Sequence, residues 1–236
     1  MSEAILNEAA AVEQDARRRD AGWAALLFVF APEAATIAVM ATLAAARPGP
    51  APAMVAWLVY AAACWIDVAL LWRWARRRGI EREIFDFRRP SARDLAAAAG
   101  ALTVAFLLYP PIMALCARFG FSIQGMRFDS HNPAVVAAVA AWAVVTTPFC
   151  EEVLFRGLAV RSLRARGAAL WLVWLLPTLA FAAIHLTYFG VAGMVYIVVW
   201  GGVLTALRLW RGHLTPGWLF HAVNNAIVYL VIPSLQ

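Results

Sequence analysis

The sequence predicts an all-α protein, a polytopic bundle of about seven transmembrane helices with its N-terminus on the cytoplasmic side. Three observations carry that expectation. First, of 236 residues 64% are apolar and 14% charged, against about 45–50% and about 25% in a soluble domain, and the mean hydropathy is +0.72. Second, seven apolar stretches approach or exceed the roughly 20 residues needed to cross a hydrocarbon layer at about 1.5 Å per residue. Third, the arginines are unevenly shared between alternate connections. The hydrophobicity excludes intrinsic disorder, and three cysteines are too few for a disulfide scaffold. All twenty basic residues are Arg, a bias that together with the abundant Ala points to a GC-rich bacterial genome. The net charge of +6 does not imply nucleic-acid binding, because the arginines fall between apolar runs and do not gather on a water-exposed groove.

Taken in order, residues 1–22 are polar and contain Arg17, Arg18 and Arg19. They lack the apolar core and small-residue cleavage site of a removed signal peptide and are read as a cytoplasmic segment. The spans follow at approximately Trp23 to Ala46, Ala51 to Trp72, Leu95 to Ala117, Ala134 to Val160, Ala169 to Leu186, Gly190 to Trp210 and Gly217 to Leu235. Sixteen Arg fall in the N-terminal segment and in the connections on its side, and only Arg47, Arg118 and Arg127 fall opposite. The excess marks the cytoplasmic face. The connection 73–94 holds eight Arg together with Ile84, Phe85 and Phe87, so it is expected to lie on the anionic inner membrane surface. The chain thus divides into residues 1–22, N-terminal transmembrane helices over 23–133, and a transmembrane core over 134–236. Trp23, Trp72, Trp74, Trp171, Trp210 and Trp218 fall near span ends, where indoles anchor at the interface. Gly193, Gly201 and Gly202 are read as close-packing positions.

Ionisable groups inside a membrane are costly and are functional candidates by default. Glu33, Asp67, Glu151 and Glu152 qualify. Glu33 and Asp67 are read as structural, Asp67 lying within reach of Arg73 or the interface. The fourth span carries Cys150-Glu151-Glu152-Val153-Leu154-Phe155-Arg156. Glu152 and Arg156 are four residues apart and share a helix face, which predicts an ion pair. Glu151 points about 100° away, free to face a cavity and suited to a general base. The fifth span carries Phe181 and His185, and the seventh carries His221 and Asn225, again four apart. Two acids, an Arg, two His and an Asn on three spans are a large desolvation cost unless they form a site. Counted from the cytoplasmic Arg clusters, His185 lies roughly 10 Å deeper than Glu151. Tilt, an early helix start or a break at Pro177 is needed to bring them together.

These residues resemble the CAAX protease and bacteriocin-processing (CPBP, or Abi) family of glutamic intramembrane endopeptidases. The family's pattern of Glu-Glu-x-x-x-Arg, Phe-x-x-x-His and His-x-x-x-Asn or Asp is matched by Glu151, Glu152 and Arg156, by Phe181 and His185, and by His221 and Asn225. The resemblance covers about the C-terminal 90 residues and implies that Glu151 and His185 activate water for attack on a peptide bond. It also implies that His221 and Asn225 stabilise the oxyanion, and that Glu152 and Arg156 support the site. The expected cofactor is none, with zinc on Glu151, His185 and His221 as the alternative. The expected partners are membrane lipid and a membrane-associated protein or peptide, prenylated CAAX-type, leader or C-terminal sorting tail. The expected location is a bacterial inner membrane. A proton-coupled transporter, an immunity protein without turnover and a cysteine protease using Cys150 are the rival readings. His131 and His213 are read as solvated turn residues.

Overall fold

Apolar runs of this length satisfy their backbone hydrogen bonds internally only as helices when no water is at hand. The computed structural model describes residues 21–46, 53–123 and 128–234, and every regular element among them is helical. We number them α1 (Ala21–Ala46), α2 (Ala53–Arg77), the single turn α3 (Glu81–Ile84), α4 (Ala92–Arg118), α5 (Pro133–Ala165), α6 (Leu170–Ile184), α7 (Leu186–Arg211) and α8 (residues 215–234). Apart from α3 they occupy the seven expected spans. Among the described residues, α2, α4, α5 and α7 are long and apolar enough to cross a membrane, while Leu27–Leu43 and α6 are shorter apolar helices. The fold is therefore a helical membrane bundle. Arg17, Arg18, Arg19, Arg47 and Arg127 lie outside the described residues.

Local chemistry sets the helix ends. Ser91 and Asp94 form a reciprocal capping box at the start of α4, satisfying two backbone N–H groups that would otherwise lack partners. The Asn132 side chain accepts from the amides of Ala134 and Val135, with Pro133 in the first turn of α5. Helix α7 ends at Gly212, whose φ of 77° is left-handed, a conformation that costs glycine little.

Two helices carry wider π-helical turns. In α5 these are Ala140–Thr146 and Glu152–Ala159, and in α8 Ile227–Val231. A π-helical turn leaves the normal backbone ladder incomplete and is often found at functional sites. The Arg208 side chain, on α7, donates through Nε to the Arg156 carbonyl in the second π-helical turn of α5 at 3.2 Å.

The connection between α2 and α4 is two-sided, with the eight Arg of residues 73–94 exposed and its apolar residues turned to the bundle. Ile80 and Ile84 are buried. The Leu214 amide donates to the Asp86 carbonyl at 2.9 Å, and Arg88 and Thr215 exchange two bonds of 2.8 Å. Phe87 stacks on Phe149, 5.2 Å between ring centroids. The physical reason is Gly157, which allows the Ile84 carbonyl to approach α5; an added Cβ there would lie 2.2 Å from that oxygen. His213 is likewise buried rather than solvated, its Nε2 3.4 Å from Asp94 Oδ1. His131 is exposed.

Candidate active site

Helix α5 buries both acids of its Glu-Glu pair and the arginine four residues on. Arg156, fully inaccessible, is 3.2 Å through Nη1 from Oε1 of Glu152, donates from Nη2 to the Gly201 carbonyl at 3.0 Å, and lies 4.2 Å above the Phe181 ring. Gly201 permits this approach: a Cβ there would lie 3.0 Å from Phe181 and 3.3 Å from Nη2. Glu152 thus neutralises the buried cation, as the four-residue spacing predicts, while Glu151 turns to a different neighbourhood.

Helix α8 supplies the imidazole of His221. Its Nδ1 is 3.3 Å from Glu152 Oε1 and its Nε2 3.7 Å from Glu151 Oε2. Gly217, one turn earlier, makes room for Glu152, since a Cβ there would lie 2.9 Å from Oε2. Asn225, one turn later, donates from its amide to the Ala143 carbonyl at 2.8 Å, within the first π-helical turn of α5. Glu151, Glu152, Arg156, His221 and Asn225 are therefore brought to one α5–α8 interface.

Of the three expected ways of bringing His185 inward, a break at Pro177 is not used. Helix α6 runs continuously through Pro177. It spans only 15 residues, which is about 22 Å at 1.5 Å per residue and short of the ~30 Å hydrocarbon core. The chain turns at half-buried His185, continues as the first turn of α7 and breaks at Gly190, where φ is 67° and ψ is −170°. Nδ1 of His185 lies 2.8 Å from the Phe181 carbonyl. A carbonyl only accepts, so Nδ1 carries the proton and Nε2 is the nitrogen available for other chemistry. The Phe181 ring joins the two halves of the site, with centroids 4.6 Å from His185 and 6.1 Å from His221.

Two site neighbours lie outside the motifs. The Tyr60 hydroxyl, on α2, donates to Glu151 Oε1 at 2.8 Å. Glu33, on α1, accepts from Thr187 at 3.2 Å and from Tyr188 at 3.3 Å, gripping the turn that holds His185. The intramembrane acid Glu33 was visible in the sequence, but its partner was not; Tyr60 carried no signal. Asp67 is buried with Oδ2 unpartnered among the described residues. Cys64, Cys116 and Cys150 are buried free thiols. Among the described residues no three His, Cys, Asp or Glu side chains gather as a metal-binding group.

Residues 133–227 match the model of the family described as type II CAAX prenyl endopeptidase Rce1-like. The matched segment takes in α5 to α7 and most of α8, with every motif residue. No curated protein and no solved structure matches the chain. Over this segment, about two fifths of its length, the chain is similar to the Rce1-like CAAX endopeptidases.

Proposed function

We propose that the protein hydrolyses a peptide bond of a membrane-associated protein or peptide within the bundle, using Glu151 and His185 on water and no metal. The observation that carries this reading is the arrangement of Glu151: one oxygen is held by Tyr60, and the other faces His221 Nε2 without a hydrogen-bond partner among the described residues. A buried carboxylate with one free oxygen is suited to take a proton from water as the water attacks a carbonyl carbon. His185 Nε2 orients that water. His221, protonated on both nitrogens between the two carboxylates, donates from Nδ1 to Glu152 and from Nε2 to the oxygen that becomes negative, with the second amide hydrogen of Asn225 as the other donor. The tetrahedral intermediate collapses as the peptide nitrogen leaves with a proton returned from Glu151. Glu152 and Arg156 offset each other's buried charge and keep α5 and α8 in register.

The N-terminus and the Arg-rich connections face the cytoplasm of a bacterial inner membrane in this reading. The substrate is a prenylated C-terminus, a leader or a sorting tail, and nucleic acid is not a partner. The direct test uses the full chain in proteoliposomes with two internally quenched peptides. One ends in a prenylated cysteine and three further residues, the other in an unprenylated apolar tail. Cleavage of either, lost by at least ~10³-fold in Glu151→Gln and retained in chelator, is the expected result. Unaltered cleavage by Glu151→Gln overturns the assignment of the base. Loss in chelator restored by zinc overturns the metal-free mechanism, and no cleavage of either peptide by the folded protein counts against peptidase activity.

A further inference from the structure

We propose that Tyr60 is a positioning residue of this site: its hydroxyl holds one oxygen of Glu151 and turns the other toward the reacting water. The proposal rests on the reading of Glu151 as the base. It extends the site to a helix that lies wholly outside residues 133–227.

The geometry is direct. Tyr60 and Glu151 are both buried, and the O–H donates at 2.8 Å across 91 residues of sequence. A buried hydroxyl without a partner is costly, so at a position serving packing alone Phe is the simpler residue. A phenol has one hydrogen to donate, and a carboxylate has two oxygens. When Tyr60 takes Oε1, rotation about the last bond of Glu151 is restrained and Oε2 faces His221, 3.7 Å from Nε2. Oε2 itself has no hydrogen-bond partner among the described residues, leaving its lone pairs for water.

Tyr60 is held firmly enough for this task. One turn before it, Trp57 lies parallel to Trp142 of α5 with ring centroids 4.9 Å apart. One turn after it, Cys64 is fully buried, and Trp65 donates from its indole to Thr146 at 3.0 Å. These contacts fix α2 against the segment of α5 just before Glu151, so the position of the phenol follows from helix docking and is not left to side-chain mobility. A site group held by rigid neighbours keeps its productive geometry without reorganisation during reaction.

The experiment compares wild type, Tyr60→Phe, Glu151→Gln and the double variant, purified whole in detergent. It measures thermal unfolding and, with the same two quenched peptides, turnover per folded molecule. Tyr60→Phe is expected to lower kcat at least tenfold with KM within twofold. It is also expected to lower Tm more when introduced into the wild-type protein than when introduced into Glu151→Gln, because a neutral amide left without the phenol is less costly than a carboxylate. A kcat within twofold of wild type overturns the proposal, as does an equal Tm decrease in both backgrounds, the behaviour of a residue that only fills space. Where Tyr60→Phe reduces the folded yield, recovery of yield in the double variant supports the contact and no recovery overturns it. The two ideas fail separately. Wild-type cleavage by Glu151→Gln removes the base assignment while the Tm comparison still reads the Tyr60–Glu151 bond.

Discussion

The imidazole of His221 stands between two adjacent carboxylates of another helix, with Nδ1 3.3 Å from Glu152 and Nε2 3.7 Å from Glu151. This relationship divides the Glu-Glu pair. Glu152 belongs to Arg156 and the fold, whereas Glu151 belongs to Tyr60 and the space in front of His221 Nε2. The contacts that support this arrangement can each be broken separately.

Removing Arg156 leaves Glu152 buried without its cation. Breaking one partner of a buried ion pair costs about 3–5 kcal/mol, while replacing both partners is often nearly neutral. Arg156→Met should therefore be severely destabilised, and Arg156→Met with Glu152→Gln should recover a large part of the loss. Denaturant unfolding in micelles measures both.

Gly157 and Gly100 make a matched pair within helices. A Cβ at Gly157 meets the backbone oxygen of Ile84 at 2.2 Å, and one at Gly100 meets nothing within 4 Å. Gly157→Ala is expected to cost about 1–3 kcal/mol through overpacking, loosening the connection 81–91. Gly100→Ala is expected to be neutral or to stabilise by about 0.5–1 kcal/mol, the usual gain from replacing a helical glycine. Equal melting temperatures for the two variants would contradict this packing.

Glu33 secures the turn bearing His185 through Thr187 and Tyr188. Glu33→Ala leaves the Tyr188 hydroxyl without its acceptor and Thr187 with only the Ile184 carbonyl at 3.4 Å, and is expected to cost about 1–3 kcal/mol. Glu33→Gln keeps an acceptor oxygen and should cost less. Amide hydrogen exchange over residues 185–190 should rise in the Ala variant, and an unchanged rate would show that α1 does not hold this turn.

His213 predicts a pH effect in the inner connection. Burial lowers its pKa from the ordinary histidine value, outweighing the attraction of Asp94 and Asp86; Arg88 and Arg211 add to the lowering. The folded state thus binds fewer protons here than the unfolded state, so stability rises with pH. The contribution of neutral His213 is fully present above the unfolded value of about 6.5 and is lost as pH falls toward the lower folded value. His213→Asn should flatten the Tm profile between about pH 8 and 5, and parallel profiles for the two proteins would refute the assignment.

The helices were legible because length and hydropathy leave a membrane chain few alternatives. The Glu152–Arg156 pair was legible because helical spacing is a local property, and a π-helical turn still leaves those side chains adjacent. Tyr60 was not, since its partner is 91 residues away and nothing in an apolar helix distinguishes a phenol that reaches a carboxylate from one that packs. The connection 73–94 reads as a surface segment from its arginines, which are exposed, but the packing of its apolar side was not legible. The position of Ile84 beneath Gly157 depends on a backbone approach that composition does not record. His185 required the observation that α6 is short, a property of where the chain turns and not of the Phe-x-x-x-His spacing.

The sequence by itself determined a helical membrane protein, the helices that carry its ionisable groups, and the motif set that resembles a CAAX-type endopeptidase. These follow from periodicity and from the cost of placing charge in lipid, both of which act along one helix at a time. Tertiary structure decided which oxygen of Glu151 is held and which is free, where His185 enters the bundle, and that α1 and α2 reach the site. Those features depend on helix docking, where small residues such as Gly157, Gly201 and Gly217 admit a carbonyl, an arginine and a carboxylate at distances that a single methyl group would close.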